Sequence, residues 1–350
     1  MTRIAIVGAS GYAGGEMARL VDAHPHWELG TLTAASNEGR GVTDVHPHLR
    51  SLHGRTFAGI DLSDLASHDV IVLALPHGHS GALGQQLAEV APETVLVDLG
   101  ADRRLVNRAA WETYYGGDYH DAWVYGMPEL VLADGGSQRA KLAGATRIVA
   151  PGCNATAVTL ALAPLIRAGL IESTDVVSTL SVAPSGAGRA LREDLLASER
   201  LGSAQAYAVG GSHRHIPEVA QNWALAGASD VSLSLTPVLV PMSRGILAVN
   251  TAKTSGHPSD GDLREALESA YANEPFVDVV PAGVMPSTGS VMGSNTVALG
   301  LATDQATGRV SVVSAVDNLY KGTAGAAVQS LNIAMGLEET TGLATNGVAP

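Results

Sequence analysis

A strand, a glycine turn and a helix follow one another in the first 24 residues, and this order constrains the fold more than any other feature. Residues 3–7 alternate and then become apolar, as a buried parallel strand does. A G-x-x-G-x-x-G loop follows, and Met17, Leu20 and Val21 then recur at helical spacing. Glycines let the backbone approach a pyrophosphate, which the helix N-terminus attracts. We therefore predict a dinucleotide site rather than an ordinary strand-to-helix turn, formed by Gly8, Ser10, Gly11, Tyr12, Ala13 and Gly14.

Further strands and helices alternate after this motif. Apolar runs at residues 69–75 and 94–99 predict two strands, and Pro76–Ser80 opens a helix between them. Alternation of this kind predicts a doubly wound parallel sheet with a ligand crevice at the carboxyl ends of its strands. We therefore expect Leu75 and Pro76 beside the cofactor, in a group of four convergent loops: residues 8–14, 36–40, 75–80 and 98–104.

The end of the second predicted strand, residues 29–35, indicates which dinucleotide binds. NAD sites usually carry an acidic residue there, about 20 residues beyond the glycines. This chain instead has Ser36, which can donate to a 2′-phosphate, and Arg40, which can neutralise it. Glu38 is the opposing signal, although it lies past the strand. The pattern favours NADP(H) over NAD.

Composition limits the class of protein. A length of 350 residues favours two domains, and 46% apolar with 16% charged residues describes a globular chain. No run reaches the roughly 18 apolar residues of a membrane span. A net charge of −13 argues against nucleic-acid binding but allows an anionic small molecule in a locally basic cleft. With one cysteine and no targeting segment, we expect a cytoplasmic protein.

Cys153 is the only cysteine, so it can form neither an internal disulfide nor a multi-cysteine metal site. It lies between a predicted strand at residues 148–150 and a predicted amphipathic helix with Val158, Ala161, Leu162 and Leu165 on one side. A helix N-terminus stabilises a thiolate, so this setting favours a nucleophile. The alternative is a small buried core residue.

Residues 210–218 gather two histidines, an arginine and a glutamate. A neutral imidazole beside a carboxylate can transfer protons near neutral pH, and an arginine can bind a carboxylate or phosphate. A solvated polar turn is the alternative interpretation. Four His-x-His pairs also occur, but without a His-Glu-x-x-His run we expect no metal site: His24/His26, His46/His48, His77/His79 and His213/His215.

Together these residues resemble the N-acetyl-γ-glutamyl-phosphate reductase family, with the aspartate-semialdehyde dehydrogenases as a broader and weaker match. The most specific runs are Pro-Gly-Cys-Asn-Ala-Thr at 151–156 and His-Arg-His-x-Pro-Glu at 213–218. The others lie in order over nearly the whole chain: Gly8–Gly14, Leu75–Ser80, Asp98–Arg103, Tyr125–Glu129, Ser185–Arg189 and Asp317–Gly322.

The resemblance implies an NADPH-dependent reduction of an acyl phosphate to an aldehyde through a cysteine thioester, in arginine biosynthesis. It assigns the nucleophile to Cys153, the acid/base to His215 rather than His213, and the orientation of the imidazole to Glu218. Further implied residues lie at the cofactor (Ser185, Gly186 and Asn318) and at the substrate (Arg103, Asn154 and Arg214). The residues alone leave Asn318 equally open to a role as a helix N-cap, and they do not distinguish Arg103 from Arg214.

The expected fold is α/β. A doubly wound Rossmann-like domain spans residues 1–152, and a second α/β domain with a mixed sheet spans 153–316. In residues 317–350, a helix at 318–336 returns to the first domain and a frayed tail follows from Glu338. We also expect a homo-oligomer, a dimer or tetramer.

Three alternative functions stay open at this point. Two are separate classes, a thiol or metal hydrolase and a nucleotide-sensing protein without catalysis. The third is a related reductase that acts on aspartyl phosphate or on an acyl phosphate held by a carrier protein.

Overall fold

The computed structural model describes residues 1–348; Ala349 and Pro350, the end of the predicted frayed tail, lie outside the described residues. The chain divides into two compact units. Unit 1 comprises residues 1–126, 141–151 and 323–343, and unit 2 comprises 127–140, 152–322 and 344–350. This division differs from the predicted boundaries, because residues 127–140 group with the second unit rather than the first.

Unit 1 contains a six-stranded parallel sheet in the order β2-β1-β3-β4-β6-β5. The strands are β1 Thr2–Val7, β2 Trp27–Thr33, β3 Val70–Leu73, β4 Val95–Asp98, β5 Val124–Tyr125 and β6 Arg147–Val149. The helices are α1 Tyr12–Asp22, α2 Val42–Val45, α3 Leu62–Leu65, α4 Ser80–Val90, α5 Arg108–Tyr114 and α12 Gly325–Ala334. The doubly wound sheet is therefore confirmed, although β2 begins and ends two residues before its predicted bounds.

Unit 2 contains a seven-stranded mixed sheet in the order β11-β12-β13-β10-β7-β9-β8. The strands are β7 Val176–Val182, β8 Gln205–Ala206, β9 Leu233–Leu239, β10 Ile246–Lys253, β11 Val277–Val279, β12 Val297–Asp304 and β13 Arg309–Val316. The helices are α7 Cys153–Arg167, α8 Ala197–Arg200, α9 Ile216–Leu225, α10 Asp260–Tyr271 and α11 Thr288–Val291, while α6 Arg139–Leu142 lies where the chain passes between units. The mixed sheet is confirmed.

Helix α7 is buried on every side, so the prediction of an amphipathic helix is wrong. Residues 154–166 are all buried, because α7 packs against β10 and β13 on one side and α9 and α10 on others. Such a helix has no solvent face and therefore no polar stripe.

The segment after Glu338 forms hydrogen bonds within each unit, and its predicted fraying stays a prediction. Within unit 1, Gln329 donates to Glu339 and Asn332 donates to the carbonyl of Thr341. Within unit 2, Val348 donates its backbone N–H to Met292. The Thr/Gly-rich sequence does not reveal these partners.

Candidate active site

Cys153 is the first residue of α7, directly after the N-cap Gly152. Strand β6 ends at Val149, and the short link over Ala150–Gly152 brings the chain to the helix start. No side chain caps this helix and its first turn contains no acidic residue, so the sulfur lies at an N-terminus that favours negative charge. The thiol is partly exposed rather than buried in the core. The geometry fits a nucleophile.

Gly152, directly before Cys153, contacts both His215 and Glu218. Its backbone N–H donates to Glu218 Oε1 at 2.7 Å. A methyl group built on Gly152 would lie 2.5 Å from His215 Nε2 and 2.8 Å from Glu218 Oε2. The imidazole and the carboxylate therefore both pack on the α-carbon that precedes Cys153, which brings the three predicted residues together.

Helix α9 fixes the spacing of His215 and Glu218. His215 is its N-cap, and Glu218, which is fully buried, lies in its first turn. Asn222, one turn further on, donates to Thr159 Oγ1 at 3.1 Å and thereby fastens α9 to α7. A helical turn thus holds His215 and Glu218 against the start of α7.

His213 is held in one neutral form. Burial, with the charge of Arg214 as a smaller contribution, lowers the pKa of His213 from 6.5 to about 4. Its Nδ1 accepts from the backbone N–H of His215 at 3.1 Å, so the ring proton resides on Nε2. Nε2 lies 3.3 Å from the side-chain amide nitrogen of Asn154. Its lowered pKa favours a neutral His213 near pH 7.

Tyr207 is a neighbour of the thiol that the sequence analysis missed. Burial raises the pKa of Tyr207 to about 12, and the negative charge of Cys153 adds to this increase. The phenol hydrogen-bonds to Asn154, and its ring centroid lies 5.8 Å from that of His213. The one available signal was its position six residues before His213. The half-buried phenol and Asn154 are therefore neighbours of the nucleophile.

Asp317, not Asn318, caps the turn that precedes α12. Asp317 Oδ1 accepts from the backbone N–H groups of Leu319 and Tyr320, at 2.9 and 3.0 Å. Asn318 is also buried, but its Oδ1 accepts from the N–H of Gly245 at 2.7 Å and its Nδ2 donates to Ser185 Oγ at 3.1 Å. The N-cap interpretation of Asn318 is therefore wrong. The structure instead joins Asn318 to Ser185, and Gly186 lies beside it.

The glycine loop of unit 1 fits a pyrophosphate. Gly8 has φ +83°, and a methyl group there would overlap the carbonyl oxygen of Ala74. Gly11 is the N-cap of α1, no side chain caps this helix, and its first turn contains no acidic residue. Ser10 and Ala13 are half-buried and Tyr12 is exposed, whereas Gly14 packs on Gly8. A helix start with neither a side-chain cap nor an acidic first turn favours an anion.

The other predicted crevice loops lie close to this one. Gly8 packs on Ala74 and the half-buried Leu75, and Pro76 beyond them is exposed. A methyl group on Gly100 would lie 2.7 Å from Ser80 Oγ. Loops 8–14, 75–80 and 98–104 therefore converge at the carboxyl ends of β1, β3 and β4, as the fold predicts.

Ser36 and Arg40 form a polar group after β2. Arg40 donates to Asn37 Oδ1 at 2.7 Å, and Asn37 in turn donates to Ser36 Oγ at 3.3 Å. Both predicted residues are exposed. The carboxylate of Glu38 rests against Gly59 instead of entering this group. The hydroxyl of Ser36 and the guanidinium of Arg40 therefore lie close together on the surface after β2.

Arg103 has a structural position, which argues against the predicted contact with substrate. It is 5% exposed, donates to the carbonyls of Gly81 and Asp121, and covers the ring of Trp123 at 5.0 Å. The sequence could not show that this guanidinium fastens loops of unit 1. Arg214 is exposed beside His213 and is the better placed of the two arginines.

The His-x-His pairs belong to other local structures. His24 stacks on Trp27 and contacts Asn332, and His46 contacts the carbonyl of Ala9. Among residues 1–348, no group of three or more His, Cys, Asp or Glu side chains is arranged to hold a metal ion. Nor does any helix in that range have the length and apolarity needed to cross a membrane.

Comparison with known proteins defines the class and then the family. Residues 3–134 match the semialdehyde dehydrogenase NAD binding domain, and residues 153–318 match the semialdehyde dehydrogenase dimerisation domain. The fold also resembles aspartate semialdehyde dehydrogenase II of Vibrio cholerae, with a TM-score of 0.69 and 16% identity over 96% of this chain and 98% of that one. The protein thus has the semialdehyde dehydrogenase fold.

Sequence relatives are more specific. N-acetyl-gamma-glutamyl-phosphate reductase of Leifsonia xyli is 56% identical over 99% of both chains, and that of Micrococcus luteus is 50% identical over 99% of both. The chain belongs to the N-acetyl-gamma-glutamyl-phosphate reductase family.

Proposed function

We propose that this protein reduces N-acetyl-γ-glutamyl phosphate to N-acetylglutamate 5-semialdehyde and phosphate with NADPH, as a step of arginine biosynthesis. The observation that carries the proposal is the packing of His215 and Glu218 on Gly152, directly before Cys153 at the N-terminus of α7. The names of the full-length relatives support the same substrate.

Cys153 is the nucleophile in this proposal. Its thiolate forms a C–S bond to the acyl carbon as the bond to the phosphate oxygen breaks, which leaves a thioester and releases phosphate. The N-terminus of α7 stabilises the thiolate before attack and again when the aldehyde leaves. When bound, reduced nicotinamide supplies the hydride that this chemistry requires.

His215 is the acid/base. It is partly exposed, whereas His213 is buried with a pKa of about 4 and carries no exchangeable charge near neutral pH. After hydride addition, His215 protonates the oxyanion of the thiohemiacetal and takes the proton back as the C–S bond breaks, which releases the aldehyde and the Cys153 thiolate. Glu218 holds the ring in place, and Asn154 and Arg214 contact the substrate, with the guanidinium on its carboxylate or phosphate.

The cofactor preference rests on the loop after β2. The exposed hydroxyl of Ser36 and guanidinium of Arg40, linked through Asn37, suit the 2′-phosphate of NADP(H). The backbone of the Gly8–Gly14 loop holds the pyrophosphate, and Ser185 with Asn318 lies at the nicotinamide. We propose that these groups select NADP(H) over NAD(H).

Self-association is proposed through the open face of the unit 2 sheet. Helices α7, α9 and α10 pack on the other face of this sheet or on one another. On the open face, the side chains of Val177 and Val249 are 40% and 38% exposed. Ladder pairing places Val249 between Thr179 and Val313, so small apolar and hydroxyl side chains form one surface. Together with the dimerisation-domain match, this surface supports a homodimer or a tetramer built from it. We also propose a cytoplasmic location, because a chain with a single cysteine suits a reducing compartment.

One assay tests the activity and its nucleophile. In the reverse direction, N-acetylglutamate semialdehyde, NADP and phosphate should give NADPH absorbance at ~340 nm, whereas aspartate semialdehyde should not. Cys153→Ser should retain NADPH binding and lose turnover, because a serine hydroxyl is not ionised at this position. Substantial turnover by Cys153→Ser would exclude the thioester, and preference for aspartate semialdehyde would replace the proposed substrate.

A further inference from the structure

Gly322 packs directly on the nucleophile. A methyl group built on Gly322 would lie 2.7 Å from Cys153 Cβ and 3.3 Å from Cys153 Cα. Carbon atoms in van der Waals contact are about 3.5–4.0 Å apart, so no side chain fits here. Gly322 does not have a positive φ, so its backbone conformation does not require glycine. The requirement is the space that Cys153 occupies.

The segment that carries Gly322 is firmly anchored at its start. The fully buried carboxylate of Asp317 pairs with Arg244, at 3.0 Å between Nε and Oδ2, and accepts from the backbone N–H of Gly293 at 2.8 Å. The same carboxylate accepts from Leu319 and Tyr320. Gly322 in turn donates its N–H to the carbonyl of Asp317 at 2.9 Å. These bonds close residues 317–322 into one turn.

A buried ion pair anchors the other end. Lys321 Nζ lies 2.6 Å from Glu129 Oε1, and the two side chains are 1% and 0% exposed. The ammonium also lies 5.5 Å from the ring centroid of Phe276. A pair this buried tolerates little displacement, because movement would leave a charge without its partner. Gly322 is the next residue, so its α-carbon is held in place against Cys153.

We propose that Gly322 is a positioning residue for the nucleophile. The anchored turn 317–322 presents a bare α-carbon to Cys153 Cβ and so sets where the sulfur lies at the N-terminus of α7. This inference deepens the proposed function and rests on Cys153 as its nucleophile. An added methyl group would have to displace Cys153 by about 1 Å, and a misplacement of that size can cost about 10²-fold in rate.

Gly322→Ala tests the proposal, with Gly289→Ala as the matched control. Gly289 is also a glycine with no positive φ, in α11, and a methyl group there meets only Ser287 Oγ, at 3.9 Å. Gly322→Ala should lower kcat/KM by about 10²-fold with NADPH binding unchanged. Because Cys153 is the only thiol, its alkylation by iodoacetamide can be followed directly, and the pH profile should shift to higher pH as the sulfur leaves the helix N-terminus.

The pH profile of alkylation distinguishes a displaced Cys153 sulfur from a general loss of folded structure. A wild-type profile in Gly322→Ala, or an equal shift in Gly289→Ala, would overturn the proposal. If circular dichroism shows that Gly322→Ala does not fold, Arg244→Gln loosens the Asp317 anchor without adding an atom near Cys153. Arg244→Gln should shift the pH profile of alkylation to higher pH, by less than Gly322→Ala. The absence of any shift would overturn the proposal. Alkylation needs no substrate, so a wild-type protein inactive on the acyl phosphate would refute the proposed function alone.

Discussion

Replacing Asp98 by Asn should make unit 1 more stable at neutral pH. Asp98 ends β4, is fully buried, and accepts from Ser80 Oγ at 2.8 Å and from the N–H of Gly100 at 2.7 Å. Burial raises the pKa of Asp98 from 3.8 to about 6, against the opposing effect of both hydrogen bonds. An asparagine can accept from Gly100 and donate to Ser80, so the exchange removes the charge and keeps both contacts.

The size of the effect follows from linkage. A carboxyl whose pKa is higher in the folded state contributes stability that is fully present below pH 3.8 and is lost as the pH rises through about 6. Each pH unit between the folded and unfolded pKa corresponds to about 1.4 kcal/mol, which gives a loss of about 3 kcal/mol in the free energy of unfolding. Asp98→Asn should escape this loss, so the variant and the wild type should agree near pH 4 and differ by up to that amount at pH 7.

Native-state hydrogen exchange of the β3 and β4 amides, followed from pH 4 to 8, measures this difference within unit 1. Asp118→Asn, at an exposed carboxylate of the same unit, is the control and should leave the pH dependence of the wild type unchanged. Parallel opening free energies for the wild type and Asp98→Asn across this range would refute the reasoning, because they would show that the buried carboxyl carries no penalty for its charge.

Two further predictions concern catalysis and cofactor choice. His215→Ala should reduce kcat by about 10²-fold or more, the usual scale of acid–base catalysis, and His213→Ala by less, because burial keeps His213 neutral near pH 7. Steady-state kinetics showing the reverse ranking would exchange their roles. Arg40→Ala should raise the Kd for NADPH more than that for NADH, since only the former carries the 2′-phosphate. Fluorescence titration measures both, and equal weakening would remove Arg40 from that subsite.

Local patterns were sufficient for much of the fold. Strand β1 and the glycine loop were readable because their signals lie within consecutive residues. Strand β12 was missed: its residues 297–301 are all buried and Gly300 interrupts them, so the alternation of a half-exposed strand is absent. Helix α7 was misread for a related reason, since a helix that packs on all sides has no polar face to reveal.

The residues of the site differ in the same way: some lie in local sequence patterns, whereas others matter through contacts with residues far away in the sequence. Cys153, His215 and Glu218 were singled out from the sequence because each lies in a short run with recognisable chemistry, and the structure brings them together at Gly152. Tyr207 and Gly322 were not, because they lie 54 and 169 residues from Cys153 in the sequence. Tyr207 interacts electrostatically with Cys153, and Gly322 packs on it. The structural contacts of Arg103 could not be predicted for the same reason, because the sequence does not show whether a guanidinium meets a ligand or a carbonyl.

The late position of α12 affects how this gene tolerates truncation. Every proposed catalytic residue precedes Thr323, yet α12 supplies Ala327, Val328 and Leu331 to the interior of unit 1 and packs on α1 and β6. A premature stop codon there would spare the chemistry and strip the hydrophobic cover from the nucleotide-binding half. Neither half can therefore be expressed, fused or exchanged as a single uninterrupted stretch of coding sequence.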